Sequence, residues 1–178
     1  AIVNEFDLEG RITKLIDQKL NAIVYFYDSR DLFTKITYGA SGIQTFTWDS
    51  MRRKTQDTDN NSGNQTVTSD YFYDTLSRLT SHGQTIGGGA TQEVTRLYDA
   101  YGHRTRIAYP NGRNVDTTFN ALHQVDLIKT DVGAGIVTVA NYDYLYDSGP
   151  DKRMLVAKNT LNSGTDTRVD FAYDEMGR

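Results

Sequence analysis

The sequence predicts an all-β chain: an array of antiparallel β-hairpin repeats forming a curved, spiralling sheet. Three observations predict it: the choice of polar residues, an aromatic–Asp dipeptide that returns at near-constant spacing, and period-two segments on both sides of each return. The 178 residues include 19 Asp against 4 Glu, with 22 Thr, 12 Tyr and 15 Gly. Asp hydrogen-bonds turn backbones whereas Glu favours helix interiors, and Thr and Tyr suit half-buried strands. Only Pro110 and Pro150 interrupt the pattern.

The dipeptide occurs at Phe6-Asp7, Tyr27-Asp28, Trp48-Asp49, Tyr73-Asp74, Tyr98-Asp99, Phe119-Asn120, Tyr146-Asp147 and Tyr173-Asp174, with spacings of 21, 21, 25, 25, 21, 27 and 27 residues. A self-similar period of this length marks a repeat architecture. The fullest copies run Phe6-Asp7-Leu8-Glu9-Gly10-Arg11 and Tyr173-Asp174-Glu175-Met176-Gly177-Arg178, with Tyr98-Asp99-Ala100-Tyr101-Gly102-His103 close to them. Asp opening a type I turn accepts hydrogen bonds from backbone N–H groups further on. Gly three residues later takes the left-handed conformation that closes the turn with a bulge. The motif therefore reads as a hairpin tip.

In the other copies that fourth position holds Asp31, Arg52, Ser77, His123 and Pro150. None is β-branched, but proline cannot take positive φ. The tip at 147–151 is therefore expected to be a longer, rearranged loop.

Strands flank each tip. Ile43–Trp48, Val115–Phe119 and Arg168–Tyr173 lead in with alternating character, and Arg11–Ile16, Phe33–Tyr38 and Arg104–Tyr109 lead out. The return strands end in looser turn-forming clusters such as Gly39–Gly42, Gly87–Gly89, Pro110–Gly112 and Gly133–Gly135. Two residues before each motif aromatic, on the same face, stand Tyr25, Phe46, Tyr71, Arg96, Thr117, Tyr144 and Phe171, so that face carries an aromatic ladder. Stacking of neighbouring hairpins along this face is expected to bury what one hairpin leaves exposed. About eight hairpins in one sheet would span roughly 75 Å at ~4.8 Å per strand, and open sheets that wide curl.

Composition narrows the function. A net charge of −4 offers no basic surface for nucleic acid, and no apolar run is long enough for a membrane span. Cysteine is absent, so disulfides and thiolate metal sites are excluded. The chain opens on Ala1 with neither Met nor a signal-peptide pattern, so any targeting segment is expected outside it.

The motifs resemble the YD repeats of the RHS superfamily, whose pattern is roughly aromatic-Tyr-Asp-x-x-Gly-Arg-Leu. The likeness is strongest at Tyr71-Phe-Tyr-Asp-Thr-Leu-Ser-Arg-Leu79, where Arg78 holds the arginine position, at Leu97–His103 and at Phe171–Arg178. The resemblance covers nearly the whole chain. It implies a β-strip that winds, with many more repeats, into a hollow shell holding a toxic C-terminal segment, or that supports cell–cell adhesion as in animal teneurins. It further implies a secreted or cell-surface location. The chain is then expected to be one array, residues 1–178, cut from a larger wall. Its partners would be the remaining repeats and an enclosed toxin domain, with self-association through open strand edges.

Candidate chemistry is sparse. His82, His103 and His123 fall in three successive repeats at different phases, which argues against convergence and for solvent-facing or turn roles. Asp57-Thr-Asp-Asn-Asn-Ser-Gly63 places Asp57, Asp59 and Asn61 at alternate positions, as in a calcium loop. Its glycine comes one place late and Thr68 stands where a bidentate Glu belongs, so a solvated inter-repeat loop is the preferred reading. Gly87–Gly89 precedes no helical pattern and reads as a loop, not a phosphate cradle. Arg52, Arg53, Lys54, Arg104 and Arg106 read as strand-edge charges or partners of the abundant Asp. No acid, base, nucleophile, metal or cofactor set is expected. A structural scaffold leads; the alternative is a carbohydrate- or receptor-binding adhesion module with aromatics in a solvent-facing groove.

Overall fold

A computed structural model describes residues 3–39, 42–60, 65–132, 135–146, 154–161, 166–170 and 172, with backbone alone for 132, 154–161 and 166–170. These residues form antiparallel strands and turns, with no helix among them. The chain divides into two compact units, Ala1–Val94 and Thr95–Arg178.

In the first unit the strands are β1 (Val3–Phe6), β2 (Ile12–Ile16), β3 (Ala22–Tyr27), β4 (Phe33–Tyr38), β5 (Gly42–Trp48), β6 (Lys54–Asn60), β7 (Val67–Tyr73) and β8 (Leu79–Ile86). Each pairs antiparallel with the next in chain order. The unit boundary falls within β9 (Gln92–Tyr98). The second unit continues with β10 (Arg104–Ala108), β11 (Asn114–Phe119), β12 (Val125–Val132), β13 (Gly135–Tyr146), β14 (Met154–Leu161) and β15 (Asp166–Asp170), again paired in order. This is the meander that short, tight connections produce.

In the described hairpins the motif aromatic ends the lead-in strand, and it sits at a register shift. Shifts fall between Glu5 and Phe6, Phe26 and Tyr27, Thr47 and Trp48, Phe72 and Tyr73, and Thr118 and Phe119. A type I turn followed by a left-handed residue needs that extra residue to match the strand twist.

The two faces differ. Tyr25, Tyr27, Phe46, Trp48, Tyr71, Tyr73, Thr117, Phe119, Tyr144 and Tyr146 are half-buried, whereas Phe26, Phe72, Leu97 and Leu145 on the other face are exposed. Among the described residues the only buried apolar side chain is Ala140, beside buried polar Ser69, Ser81 and Thr130. Stability therefore comes from strand pairing and from contacts between successive hairpins, not from a thick core.

Of the segment read as a solvated loop, residues 57–60 form strand instead. Asp57 and Asp59 lie inside β6, opposite Phe46 and Gln44 of β5 and opposite Ser69 and Val67 of β7. Register imposed by two neighbouring strands carries the ladder through to Asn60, which polar composition alone disguises. Asn61 lies outside the described residues, as do Asp147, Tyr173, Asp174, Gly177 and Arg178.

Candidate functional site

The hairpin tips share one hydrogen-bond scheme. Asp7 Oδ1 accepts the N–H groups of Glu9 at 3.1 Å and Arg11 at 2.8 Å, while Oδ2 accepts Arg11 Nε at 2.6 Å. Asp49 does the same with Met51 and Arg53, and Asp74 with Leu76 and Arg78. In each described tip the N–H of the opening Asp or Asn donates to the carbonyl of the fifth tip residue, and the fourth residue's N–H donates back to the carbonyl of the first. One carboxylate thus satisfies the orphan donors of a whole turn.

In the six described tips the fourth residue holds positive φ: Gly10 at 80°, Gly102 at 94°, and near 63° at Asp31, Ser77 and His123, with Arg52 at 64°. Non-glycine residues therefore occupy the left-handed position where the sequence comparison placed them. Where the fifth residue is not arginine, the scheme adapts. Arg30 reaches Asp28 from inside its tip because Leu32 stands fifth; His103 Nδ1 lies 2.8 Å from Asp99 Oδ2; Asn120 pairs with Gln124. Asn120 still accepts the N–H groups of Leu122 and Gln124.

The tip carboxylates are held below their ordinary range. At Asp7, Asp28 and Asp74 partial desolvation pushes upward, but hydrogen bonds from the turn N–H groups and the arginine, together with its charge, outweigh it. At Asp49 the Arg53 N–H is the largest influence and acts downward. At Asp99 desolvation is again opposed and exceeded, here by His103 and the Tyr101 N–H.

In the first unit successive tips grip one another. The guanidinium of Arg11 lies 4.7 Å over the Tyr27 ring, and that of Arg53 lies 4.7 Å over Tyr73. Tyr27 Oη donates to the Ile12 carbonyl at 2.8 Å, Trp48 Nε1 to Phe33 O at 2.7 Å, and Tyr73 Oη to Lys54 O at 2.9 Å. Ile12, Phe33 and Lys54 occupy equivalent places, one residue past the preceding tip. Arginine links reinforce this grip: Arg11 to Asp31 at 2.6 Å, Arg30 to Asp49 O at 2.6 Å, and Arg53 to Asp74 O at 3.1 Å and Ser77 at 3.2 Å. Burial raises the Tyr27 and Tyr73 phenols, so both remain donors at neutral pH.

In the second unit the latch changes hands. Tyr144, two residues before its motif aromatic, donates to Val125 O at 2.7 Å, and Tyr146 Oη bonds Gln124 Oε1. Phe119 lacks a hydroxyl and stacks on His103 at 4.4 Å. The aromatic ladder is thus held by donor-to-backbone latches and cation–ring contacts, with direct ring contacts where Tyr25 and Tyr27 meet Phe33.

Other expectations fare variously. Arg53 and Arg106 are Asp partners, to Asp49 at 2.6 Å and Asp116 at 2.5 Å. Asp57 is engaged by Lys54 Nζ at 2.6 Å and Tyr71 Oη at 3.0 Å, while Asn61, the third residue of the candidate calcium set, lies outside the described residues. No group of three metal-ligating side chains occurs among the described residues. His82 is neither a turn nor a solvent residue: it lies within β8 and stacks on Tyr71 at 4.7 Å. His103 and His123 do converge, with ring centroids 5.0 Å apart, because side-by-side tips overcome a separation of about one repeat.

Two tight turns were not legible as such. Asp17 closes a turn with Leu20 at φ 64° and accepts the N–H groups of Lys19 and Asn21. It lacks both the aromatic and the glycine; the Asp17–Asn21 spacing was its one signal. The cluster at Pro110–Gly112, expected to be loose, is closed by Tyr109 N–H to Arg113 O and Gly112 N–H to Tyr109 O.

No family model matches the chain, and no curated protein matches it. Among solved structures, TcdB2-TccC3 is similar over 88% of this chain and 8% of that chain, at 16% identity and a TM-score of 0.51. TcdB2-TccC3-Cdc42 is similar over 99% of this chain and 12% of that one, at 12% identity and a TM-score of 0.50. The chain spans an eighth or less of the length of these neighbours. It has the antiparallel hairpin-array fold of a stretch of the TcdB2-TccC3 chains.

Proposed function

We propose that this chain is a structural segment of an RHS/YD-repeat β-shell, one that encloses or displays a toxin domain in a secreted or cell-surface bacterial protein. The observation that carries this reading is the repeated latch. Tyr27, Trp48 and Tyr73 spend their polar groups on the backbone of the preceding hairpin, so the motif residues join repeats. An adhesion surface would instead leave those groups for a ligand. The likeness in fold to TcdB2-TccC3 supports the same reading. On it the chain is a single array within a longer, curving wall and performs no catalysis. Its partners are further repeats of the wall and a cargo domain, and edge strand β1 associates with other strands when left uncovered.

The test is protease protection in the full-length protein. The segment that follows the repeats should survive digestion while the repeats are intact, and should be cut once Tyr27→Ala and Tyr73→Ala together loosen the wall. Uniform digestion of the parent protein would contradict enclosure. Saturable binding of the 178-residue chain on a glycan array, abolished by ladder substitutions such as Tyr25→Ala, would favour the adhesion module.

A further inference from the structure

The tips at 99–103 and 120–124 meet through a different kind of joint from the rest. In the first unit Arg11, Arg30, Arg52 and Arg53 link one tip to another, and they keep their charge at any ordinary pH. Here the fifth residue of one tip is His103 and the fourth of the next is His123, with rings 5.0 Å apart and 30° from parallel. Phe119 stacks on His103 at 4.4 Å, and Tyr101 meets the His123 ring at 4.6 Å, edge-on.

We propose that this imidazole pair is an acid-sensitive joint between successive hairpins, closed when the rings are neutral and loosened when both are protonated. Histidine is the side chain whose ordinary titration lies between pH 5 and 8. Asp99 is a carboxylate, an acceptor only, so His103 presents Nδ1–H to it and takes a further proton at Nε2. That first charge has a counter-charge in place. The second falls on His123, whose ring faces the first imidazolium and the Tyr101 ring.

Asp99 and Tyr101, both from the tip that carries His103, are titratable groups lining the pair. Phe119, Ala121 and Asn120 complete the surround from β11 and the second tip, with Gln124 bonded to Asn120 and to Tyr146 Oη of β13. Arg104, the next residue after His103, is exposed and adds positive charge nearby. Two like charges about 5 Å apart repel enough, even at the dielectric of water, to shift an equilibrium roughly fourfold. His123 also holds φ 63°, so its tip has a strained residue to relax when contact is lost.

Amide hydrogen exchange on the 178-residue chain tests this, comparing pH 7.5 with pH 5.5 after correction for intrinsic exchange rates. The probes are the Gly102 and His123 N–H groups, which close their tips on Asp99 O and Asn120 O; the reference is Arg52 N–H on Asp49 O. Protection at the two probes should fall roughly three- to tenfold at the lower pH while the reference holds. In His123→Asn, whose new side chain tolerates positive φ, the fall should vanish. No fall in the parent, or an equal fall in the variant, overturns the proposal. Imidazole proton titration by NMR needs no variant: coupled rings give broadened curves for His103 and His123, and two independent single-proton curves overturn it equally.

Discussion

The guanidinium carbon of Arg53 lies 4.7 Å from the centre of the Tyr73 ring, so the last residue of one hairpin tip covers the motif aromatic of the next. The same arginine donates Nε to Asp49 at 2.6 Å. One side chain therefore ties its own turn shut and joins it to its neighbour. A double-mutant cycle on Arg53→Gln and Tyr73→Leu should give a coupling of about 0.5–1 kcal/mol in urea melts. Additivity within error would mean that the two groups are neighbours without interacting.

Tyr73→Phe keeps the ring under Arg53 and deletes only the donor to the Lys54 carbonyl. It should cost about 0.5–1.5 kcal/mol, and Tyr27→Phe a similar amount through Ile12 O. Stability equal to the parent would show that water replaces the hydroxyl without loss.

The tip carboxylates are expected to follow an order. Asp74→Ala should lower the urea midpoint, since the N–H groups of Leu76 and Arg78 lose their acceptor. Asp74→Asn should fall between that variant and the parent, because Asn120 builds the same turn with an amide oxygen. A midpoint for Asp74→Asn at or below that of the alanine variant would mean that charge, not turn geometry, holds the tip.

Leu20 is an exposed leucine at φ 64°, a conformation that costs an L-residue about 1–2 kcal/mol. Leu20→Gly should raise stability by roughly 0.5–1 kcal/mol after the glycine's added unfolded-state freedom is discounted. Leu20→Val, β-branched at the same φ, should lower it. Thermal melts of the three proteins decide the order.

Acid should destabilise the chain through its tips. The carboxyls of Asp7, Asp17, Asp28, Asp49, Asp74 and Asp99 all titrate lower folded than unfolded. Their contribution is present above the unfolded value of about 4 and is lost as pH falls through the lower folded values. Urea midpoints should thus stay level from pH 7 to about pH 5, apart from any histidine effect, and drop steeply below about pH 4. A midpoint that held or rose on acidification to pH 3 would contradict these couplings.

Much of this protein was settled by the sequence alone, because it was settled locally. A turn of five residues is closed by its own Asp, its own left-handed fourth residue and its own backbone. Asp7, Asp49 and Asp74 could therefore be assigned from spacing, and Asp31, Arg52, Ser77 and His123 could be placed in a conformation that glycine normally takes. The alternation before each tip gave the two faces for the same reason, since side-chain direction in a strand depends only on parity.

Tertiary structure decided whatever depends on which residues of different strands lie side by side. Polar β6 became a strand because β5 and β7 pair with it, and Asp57 there meets Lys54 and Tyr71. His103 and His123 met because adjacent tips are a few ångströms apart, however far apart they are in sequence. The latch from Tyr27 to Ile12 and from Tyr73 to Lys54 was likewise invisible, because its acceptors are backbone carbonyls. A carbonyl has no residue identity, and only the register of packed hairpins says which one a phenol can reach.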